Sequence, residues 1–127
     1  MAKDPAKILL VEDESSLNQA YTMILESAGY EVHSAFNGKE ALKITETIEP
    51  DLIFLDLRMP SMDGVEFLKN YNLKEDHPNV KVIIFSNLDT QKKIDEAYDL
   101  GAHKYILKAW ATPKEIKKIA ENILAGK

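Results

Sequence analysis

Cysteine is absent from the 127-residue sequence, and this absence excludes disulfide bridges, thiol nucleophiles and metal sites with cysteine ligands. No apolar run approaches the roughly 20 residues that a helix needs to cross a bilayer. The first five residues, Met1-Ala2-Lys3-Asp4-Pro5, lack the apolar core of a secretory signal. We therefore expect a cytoplasmic protein.

Basic residues, glycine and histidine are also in short supply. The 16 Lys and Arg residues stand against 21 Asp and Glu, a net charge of −5, which argues against nucleic-acid or anionic-membrane binding. The five glycines are scattered, so there is no Gly-x-Gly-x-x-Gly or Walker sequence to cradle a nucleotide phosphate. The three histidines have no metal-ligand spacing and are interpreted as structural or solvated: His33, His77 and His103.

What the sequence does contain is a regular alternation of short apolar runs and helical periods, which predicts repeated strand–helix units. Three runs are continuously apolar and predict central strands buried on both faces: 8–11, 52–55 and 82–85. Two more mixed runs predict strands nearer the edges: 30–33 and 105–107. The pattern predicts one α/β domain over residues 1–127, with a core at about 7–124. Its doubly wound sheet of five parallel strands is flanked by five helices.

Capping signals mark several helix ends. Capping-box spacing predicts two helix starts, at Asn37 with Glu40 and at Asp63 with Glu66. A third start is predicted by proline at the first helical position after Thr112. Gly29 and Gly101 suit helix ends.

Charged and hydroxyl side chains follow four of the predicted strands, at the edge where ligand sites form in open parallel sheets. Carboxylates follow the first and third strands, a hydroxyl the fourth and an ammonium the fifth: Glu12-Asp13-Glu14, Asp56, Ser86 and Lys108. Carboxylates this close repel one another unless a cation neutralises them. Mg²⁺ prefers such oxygen ligands and leaves room for a phosphate, so we expect Mg²⁺ here. Lys108 can place its charge opposite, and Ser86 can donate a hydrogen bond to a phosphoryl oxygen.

A simpler interpretation exists for some of these acids. Asp13 or Glu14, taken singly, fits a helix cap equally well. Asp56 is harder to explain in that way, because it directly follows four apolar residues of a central strand, where an ionised group is costly without partners.

These residues resemble the receiver domain of bacterial two-component response regulators, from about Lys7 to Leu124. The order and spacing of five segments carry the resemblance: 8–14, 51–60, Met62-Asp63-Gly64, Ser86 and 101–108. The resemblance implies a flavodoxin-like strand order 2-1-3-4-5. It also implies a signalling regulator rather than an enzyme, one that promotes only its own phosphorylation and dephosphorylation.

The resemblance further implies that Asp56 accepts a phosphoryl group from the phosphohistidine of a sensor kinase or phosphotransfer protein. An ionised carboxylate needs no general base to attack phosphorus. Asp13 and Asp56 would hold Mg²⁺ by their carboxylates. Glu12 would act through bound water, and the Arg58 main-chain carbonyl would complete the protein ligands. Lys108 would pair with the phosphoryl oxygens or, at rest, with Asp56.

Ser86 and Tyr105 match the switch pair of the family. On phosphorylation the Ser86 hydroxyl would move toward the phosphoryl group, and the Tyr105 ring would turn inward. The fourth helix, fifth strand and fifth helix, roughly residues 89–124, would then bind a downstream protein or form a homodimer. No output segment follows Leu124, so we expect either a stand-alone regulator or the receiver part of a longer protein.

The sequence departs from the family pattern after Lys108 and after Ser86. Ala109 stands where the family has a proline preceded by a cis peptide. A non-proline cis bond costs about 3–4 kcal/mol, so the sequence leaves two alternatives open, a cis bond or a trans bond with a somewhat rearranged loop. Asn87 is larger than the family prefers. Bulky Arg58 and Leu88 predict slow self-dephosphorylation. Trp110 is expected to pack against the last helix, with an exposed partner contact as the alternative.

Other classes of protein fit less well. A haloacid-dehalogenase-like phosphatase needs a general acid where Arg58 stands, and arginine does not release a proton at neutral pH. In a flavodoxin-like flavin carrier, Glu12-Asp13-Glu14 would repel the flavin phosphate. The remaining alternative is a receiver-like docking module that is not phosphorylated. The joint presence of the site residues argues against it: Glu12, Asp13, Asp56, Ser86 and Lys108.

Overall fold

The computed structural model of the chain describes residues 5–59, 61–86 and 91–125, with Ser86 described by its backbone alone. Its five strands are β1 (Lys7–Val11), β2 (Glu31–Ala35), β3 (Leu52–Asp56), β4 (Lys81–Ser86) and β5 (Lys104–Leu107). All neighbours pair in parallel, in the order β2-β1-β3-β4-β5. The predicted sheet is confirmed, and the two mixed runs are its edges.

The helices are α1 (Ser15–Ser27), α2 (Gly38–Thr45), α3 (Gly64–Tyr71), α4 (Leu73–Asp76), α5 (Gln91–Asp99) and α6 (Pro113–Ala125), with a 3-10 turn at Lys108–Trp110. The described residues thus contain one helix more than the five predicted. The addition is the one-turn α4, which Asn72 separates from α3 by its left-handed backbone, φ 58°. The fourth and fifth helices of the sequence analysis are therefore α5 and α6. No helix within the described ranges is long and apolar enough to cross a membrane.

Helices cover both faces of the sheet and create two apolar cores. On one face Leu9 and Val11 of β1 join the residues that α2, α3 and α5 bury. On the other face Ile8 and Leu10 of the same strand join those of α1 and α6. This burial on both sides is why the central strands read as continuous apolar runs. It leaves the carboxyl ends of the strands, and the loops that follow them, as the edge where polar groups gather.

The helix boundaries follow the capping signals, with one difference. Asn37 accepts the Glu40 N–H at 2.9 Å, but the Glu40 carboxylate accepts the N–H of Phe36 instead of completing the box on Asn37. Gly29 and Gly101 end helices with φ values of 99° and 111°, a region that favours glycine. These helix ends are confirmed as predicted.

Candidate functional site

The sheet register brings three carboxylates together beyond the ends of β1 and β3. Val11 pairs with Leu55, so Glu12 follows β1 directly beside Asp56. One carboxylate oxygen from each of Glu12, Asp13 and Asp56 lies within 4.8 Å of the others. Glu12 and Asp56 are buried, whereas Asp13 is exposed. The predicted acidic cluster therefore exists, and its open side is the side of Asp13.

Lys108 is the cation that faces this cluster. Its Nζ donates to Asp56 Oδ2 at 2.8 Å and to Glu12 Oε2 at 3.4 Å. The second Asp56 oxygen, Oδ1, accepts the backbone N–H of Arg58 at 3.0 Å. The predicted resting pair of Lys108 with Asp56 is thus present in the structure.

Burial and charge act in opposite directions on this pair. Burial raises the pKa of Asp56 above its ordinary value, although the hydrogen bonds from Lys108 and from the Arg58 N–H oppose the rise. Burial alone would lower the pKa of Lys108, but its bonds to Asp56 and Glu12 raise it overall. Lys108 therefore stays protonated, and its charge opposes the rise that burial causes in the pKa of Asp56.

Glu12 shows most directly that the cluster is suited to a cation. Its Oε2 accepts the Glu14 N–H at 2.9 Å, while its Oε1 is buried and has no hydrogen-bond partner among the described residues. Burial raises the pKa of Glu12 to about 7, against the lowering effect of the Glu14 N–H. A buried, unpaired carboxylate oxygen is costly, and a hard divalent ion with its water shell satisfies it. The donor set of Glu12, Asp13 and Asp56 fits Mg²⁺.

The loop after β1 is held by a side chain that the sequence analysis missed. Asn18 on α1 is buried, and its Nδ2 donates to the carbonyls of Glu12 at 3.0 Å and Ala35 at 3.2 Å. Glu14 occupies the N-cap position of α1, yet its side chain makes no capping hydrogen bond. The cap interpretation is therefore wrong for the Glu14 side chain, although the Glu14 backbone N–H supports Glu12.

The loop after Asp56 returns tightly to start α3. A Cβ on Gly64 would lie 2.8 Å from the Asp56 carbonyl oxygen and 2.9 Å from the Leu57 Cα, so only glycine fits without a shift. Asp63 closes the predicted capping box with Glu66. The other Asp63 oxygen accepts from Lys93 of α5 at 2.7 Å. Burial would raise the pKa of Asp63, but the bonds from Lys93 and the Glu66 N–H hold it below its usual value.

The loop after Lys108 decides one open question and overturns one expectation. The Lys108–Ala109 peptide is trans, and Lys108–Trp110 form a 3-10 turn, yet the ammonium still reaches Asp56. Trp110 does not pack against α6 as expected, because its side chain is 71% exposed. It stands with Tyr105 and Ile119 around a shallow hollow between β5 and α6.

The remaining predicted residues are only partly placed. Tyr105 lies on edge strand β5 and is 37% exposed, so its ring is near the surface. Ser86 ends β4 and pairs with Leu107, but its side chain is outside the description. Asn87, Leu88 and the start of the predicted readout surface also fall outside the described residues.

Comparison with known proteins identifies the family. The profile described as the response regulator receiver domain matches residues 8–121. The chain belongs to this family. The receiver family typically binds Mg²⁺ at an acidic pocket, and its members interact with histidine kinases or phosphotransfer proteins in signalling based on phosphorylation.

Individual relatives of this receiver chain differ in length. It is 33% identical to sporulation initiation phosphotransferase F of Bacillus subtilis, over 92% of the chain and 90% of that protein. It is 36% identical to the alkaline phosphatase synthesis transcriptional regulatory protein PhoP of the same organism, but spans 48% of it. A CheY-like receiver from Methanospirillum hungatei superposes with a TM-score of 0.86 at 26% identity, over 96% and 95% of the two chains.

Proposed function

We propose that this receiver is switched by Mg²⁺-dependent transfer of a phosphoryl group from a sensor-kinase phosphohistidine to Asp56. The observation that carries the proposal is the contact of Asp56 Oδ2 with Lys108 Nζ at 2.8 Å, inside a cluster that includes Glu12 and Asp13. Such an arrangement places a nucleophilic carboxylate, a cation and a divalent-metal donor set at one point.

The chemistry is a displacement at phosphorus. An Asp56 carboxylate oxygen attacks, a P–O bond forms and an acyl phosphate results. The P–N bond to the donor imidazole breaks, and the imidazole nitrogen keeps the bonding electrons. When Mg²⁺ is bound, it supplies positive charge that offsets the oxygens of the transferring group. Charge neutralisation and positioning provide most of the catalysis in this class of reaction.

The residues of this chain have distinct tasks in that step. Lys108 leaves Asp56 Oδ2 and pairs with a phosphoryl oxygen, so that its charge stabilises the transition state and the product. The Arg58 N–H, now 3.0 Å from Asp56 Oδ1, orients the carboxylate. Asp13 and Asp56 would hold the metal by their carboxylates, with Glu12 acting through bound water and the Arg58 carbonyl completing the protein ligands. Ser86 donates to the phosphoryl group.

Phosphorylation of Asp56 changes the conformation of Ser86 and of Tyr105 on β5. As the Ser86 hydroxyl moves toward the phosphoryl group, the Tyr105 ring turns inward from its half-exposed position. The face of α5, β5 and α6 then binds a downstream protein or a second copy of the chain.

In this proposal, residues 1–127 form one receiver domain, with a core at 7–124. This domain acts in the cytoplasm. Bulk at Arg58 and Leu88 slows the attack of water on the acyl phosphate.

Incubation with acetyl phosphate tests the proposal. Intact mass should rise by one phosphoryl group when Mg²⁺ is present, and this gain should vanish without Mg²⁺ or in Asp56→Asn. Asp99→Asn, an exposed carboxylate on α5, is the matched control and should still be phosphorylated. No gain in the wild type, even from a phosphorylated histidine donor, would contradict the proposal and favour the docking module. A phosphoryl half-life of seconds would contradict slow dephosphorylation.

A further inference from the structure

The turn that begins at Lys108 has little to hold it on its outer side. Its two following residues, Ala109 and Trp110, are exposed, and the preceding strand β5 is an edge that pairs with β4 alone. A lysine side chain with four methylene groups has many rotamers, so the position of its backbone decides where the ammonium points. The anchor must therefore be at the end of the turn.

That anchor is Ala111. Its side chain is 4% exposed, and its N–H donates to the Lys108 carbonyl at 3.1 Å, which closes the turn. Its own carbonyl accepts a hydrogen bond from the hydroxyl of Tyr21, a residue 90 positions earlier on α1. Among the described residues, the Tyr21 hydroxyl is the side-chain group that donates a hydrogen bond to the backbone of the turn, residues 108–111.

Tyr21 also packs against β4, the neighbour of the strand that carries Asp56. Its side chain is 1% exposed, and its ring centroid lies 5.7 Å from that of Phe85. Phe85 stacks on Phe54 of β3 at 5.8 Å, and it pairs with Asp56 in the sheet register. Tyr21 thus connects the two sides of the ion pair: its ring packs on Phe85, which pairs with Asp56, and its hydroxyl binds the turn that holds the cation.

We propose that Tyr21 is a positioning residue that aims Lys108 at Asp56 through the Ala111 carbonyl. The inference rests on the proposed function, since it assigns a task in the same phosphoryl transfer. With the hydroxyl in place, the backbone of Lys108 is fixed relative to β3 and β4, although the peptide that follows it is an ordinary trans bond between non-proline residues. Without the hydroxyl, the Ala111 carbonyl stays buried but loses this donor, and the turn loosens.

A double-mutant cycle with Lys108 measures this coupling. Tyr21→Phe should slow Mg²⁺-dependent phosphorylation by acetyl phosphate about 5–10-fold, the loss that one net hydrogen bond represents. In a Lys108→Ala background the same substitution should change the rate by less than about twofold, because no ammonium remains to be aimed. Tyr71→Phe removes a hydroxyl from another buried tyrosine, at the far end of α3, and should leave the rate unchanged. An equal slowing in both backgrounds, or no slowing by Tyr21→Phe, would overturn the proposal.

Amide hydrogen exchange, measured without phosphodonor, keeps this test separate from the proposed function and from general instability. Tyr21→Phe should speed exchange of the Ala111 N–H about tenfold relative to that of Phe54 in the central strand. Equal acceleration at both positions would mean global destabilisation and would count against a positioning role. If wild-type protein takes no phosphoryl group, the proposed function fails, while the exchange ratio still decides whether Tyr21 holds the turn.

Discussion

The Lys108 ammonium lies 2.8 Å from the Asp56 carboxylate although Asp56 ends β3 and Lys108 follows β5, two strands that are not neighbours in the sheet. Strand β4 stands between β3 and β5, so the ion pair crosses the end of a strand. A shift of β5 or of its turn therefore changes the environment of Asp56 directly. This relationship links the chemistry at the strand ends to the exposed face of β5.

Removal of the cation should affect both chemistry and stability. Lys108→Met leaves two buried carboxylates, Glu12 and Asp56, without their ammonium partner. We expect phosphorylation to slow by about 100-fold or more, the cost of losing one preorganised charge at a transition state. Urea unfolding in metal-free buffer should show a loss of about 1–3 kcal/mol. A faster or unchanged rate would contradict the role of Lys108, and Lys104→Met, an exposed lysine on β5, is the control.

Metal-free stability should fall as pH rises between about 4.5 and 7. The folded protein raises the pKa of Glu12 from 4.5 to about 7, so it binds this proton more tightly than the unfolded chain does. The stabilising contribution is complete below the unfolded pKa and is lost as pH rises through the folded one, on the order of 2 kcal/mol. Urea midpoints across this range measure it.

Glu12→Gln should flatten that pH dependence without abolishing it, because the pKa of Asp56 is raised in the same direction. Glu26→Gln, at an exposed position on α1, should keep the wild-type slope. Saturating Mg²⁺ should reduce the loss of stability at pH 7, since it favours the ionised carboxylates. A wild-type protein that gains stability steadily from pH 4.5 to 7 without metal would contradict the raised pKa of the buried Glu12 carboxyl.

Gly64→Ala should damage the site through its backbone. The added methyl would meet the Asp56 carbonyl and the Leu57 Cα at under 3 Å, so α3 or the strand end must shift. We expect a loss of about 1–3 kcal/mol in the free energy of unfolding and slower phosphorylation. Gly29→Ala, where a Cβ has open space but φ is 99°, should cost stability without slowing phosphorylation. Equal phosphorylation rates in the two variants would contradict the close approach of Gly64 to the Asp56 carbonyl.

Asp63 should contribute to stability mainly as a helix cap. Asp63→Ala removes the capping box with Glu66 and the contact with Lys93, and should cost about 0.5–2 kcal/mol. Lys93→Met removes only the ion pair, which is partly solvent-exposed, and should cost less than about 1 kcal/mol. Thermal or urea unfolding measures the loss in the free energy of unfolding for each variant. A larger loss in Lys93→Met than in Asp63→Ala would contradict this account.

The sequence predicts the features that depend on short local patterns, namely the repeated strand–helix units and the polar residues that directly follow each strand. Continuous apolar runs identify the central strands, and polar residues directly after them identify the acidic cluster, since parallel strands end at one edge. Asp56 stands out because an ionisable group directly follows four apolar residues. Its contact with Lys108, 52 positions later, follows from the same edge once the strand order is known.

Contacts between distant segments are what the sequence does not reveal. Asn18 and Tyr21 fit the pattern of an amphipathic helix. No neighbouring residue in the sequence predicts that their side chains bind distant backbone carbonyls. Tyr21 meets Ala111 across 90 positions. The sequence around Asn72 likewise does not predict a break between helices, yet its left-handed backbone divides α3 from α4. The sequence predicts that Trp110 packs against the last helix, but its side chain lies in the 3-10 turn and is 71% exposed.

The most direct test of the account is chemical trapping of the phosphorylated residue. Borohydride reduces an aspartyl phosphate to homoserine, so treatment of protein incubated with acetyl phosphate and Mg²⁺ marks the acceptor, and peptide sequencing locates it. The account predicts homoserine at position 56 and at no other aspartate, with none in a magnesium-free sample. Homoserine at Asp13 or elsewhere, or an unmodified Asp56 in protein whose mass shows a phosphoryl group, would contradict it.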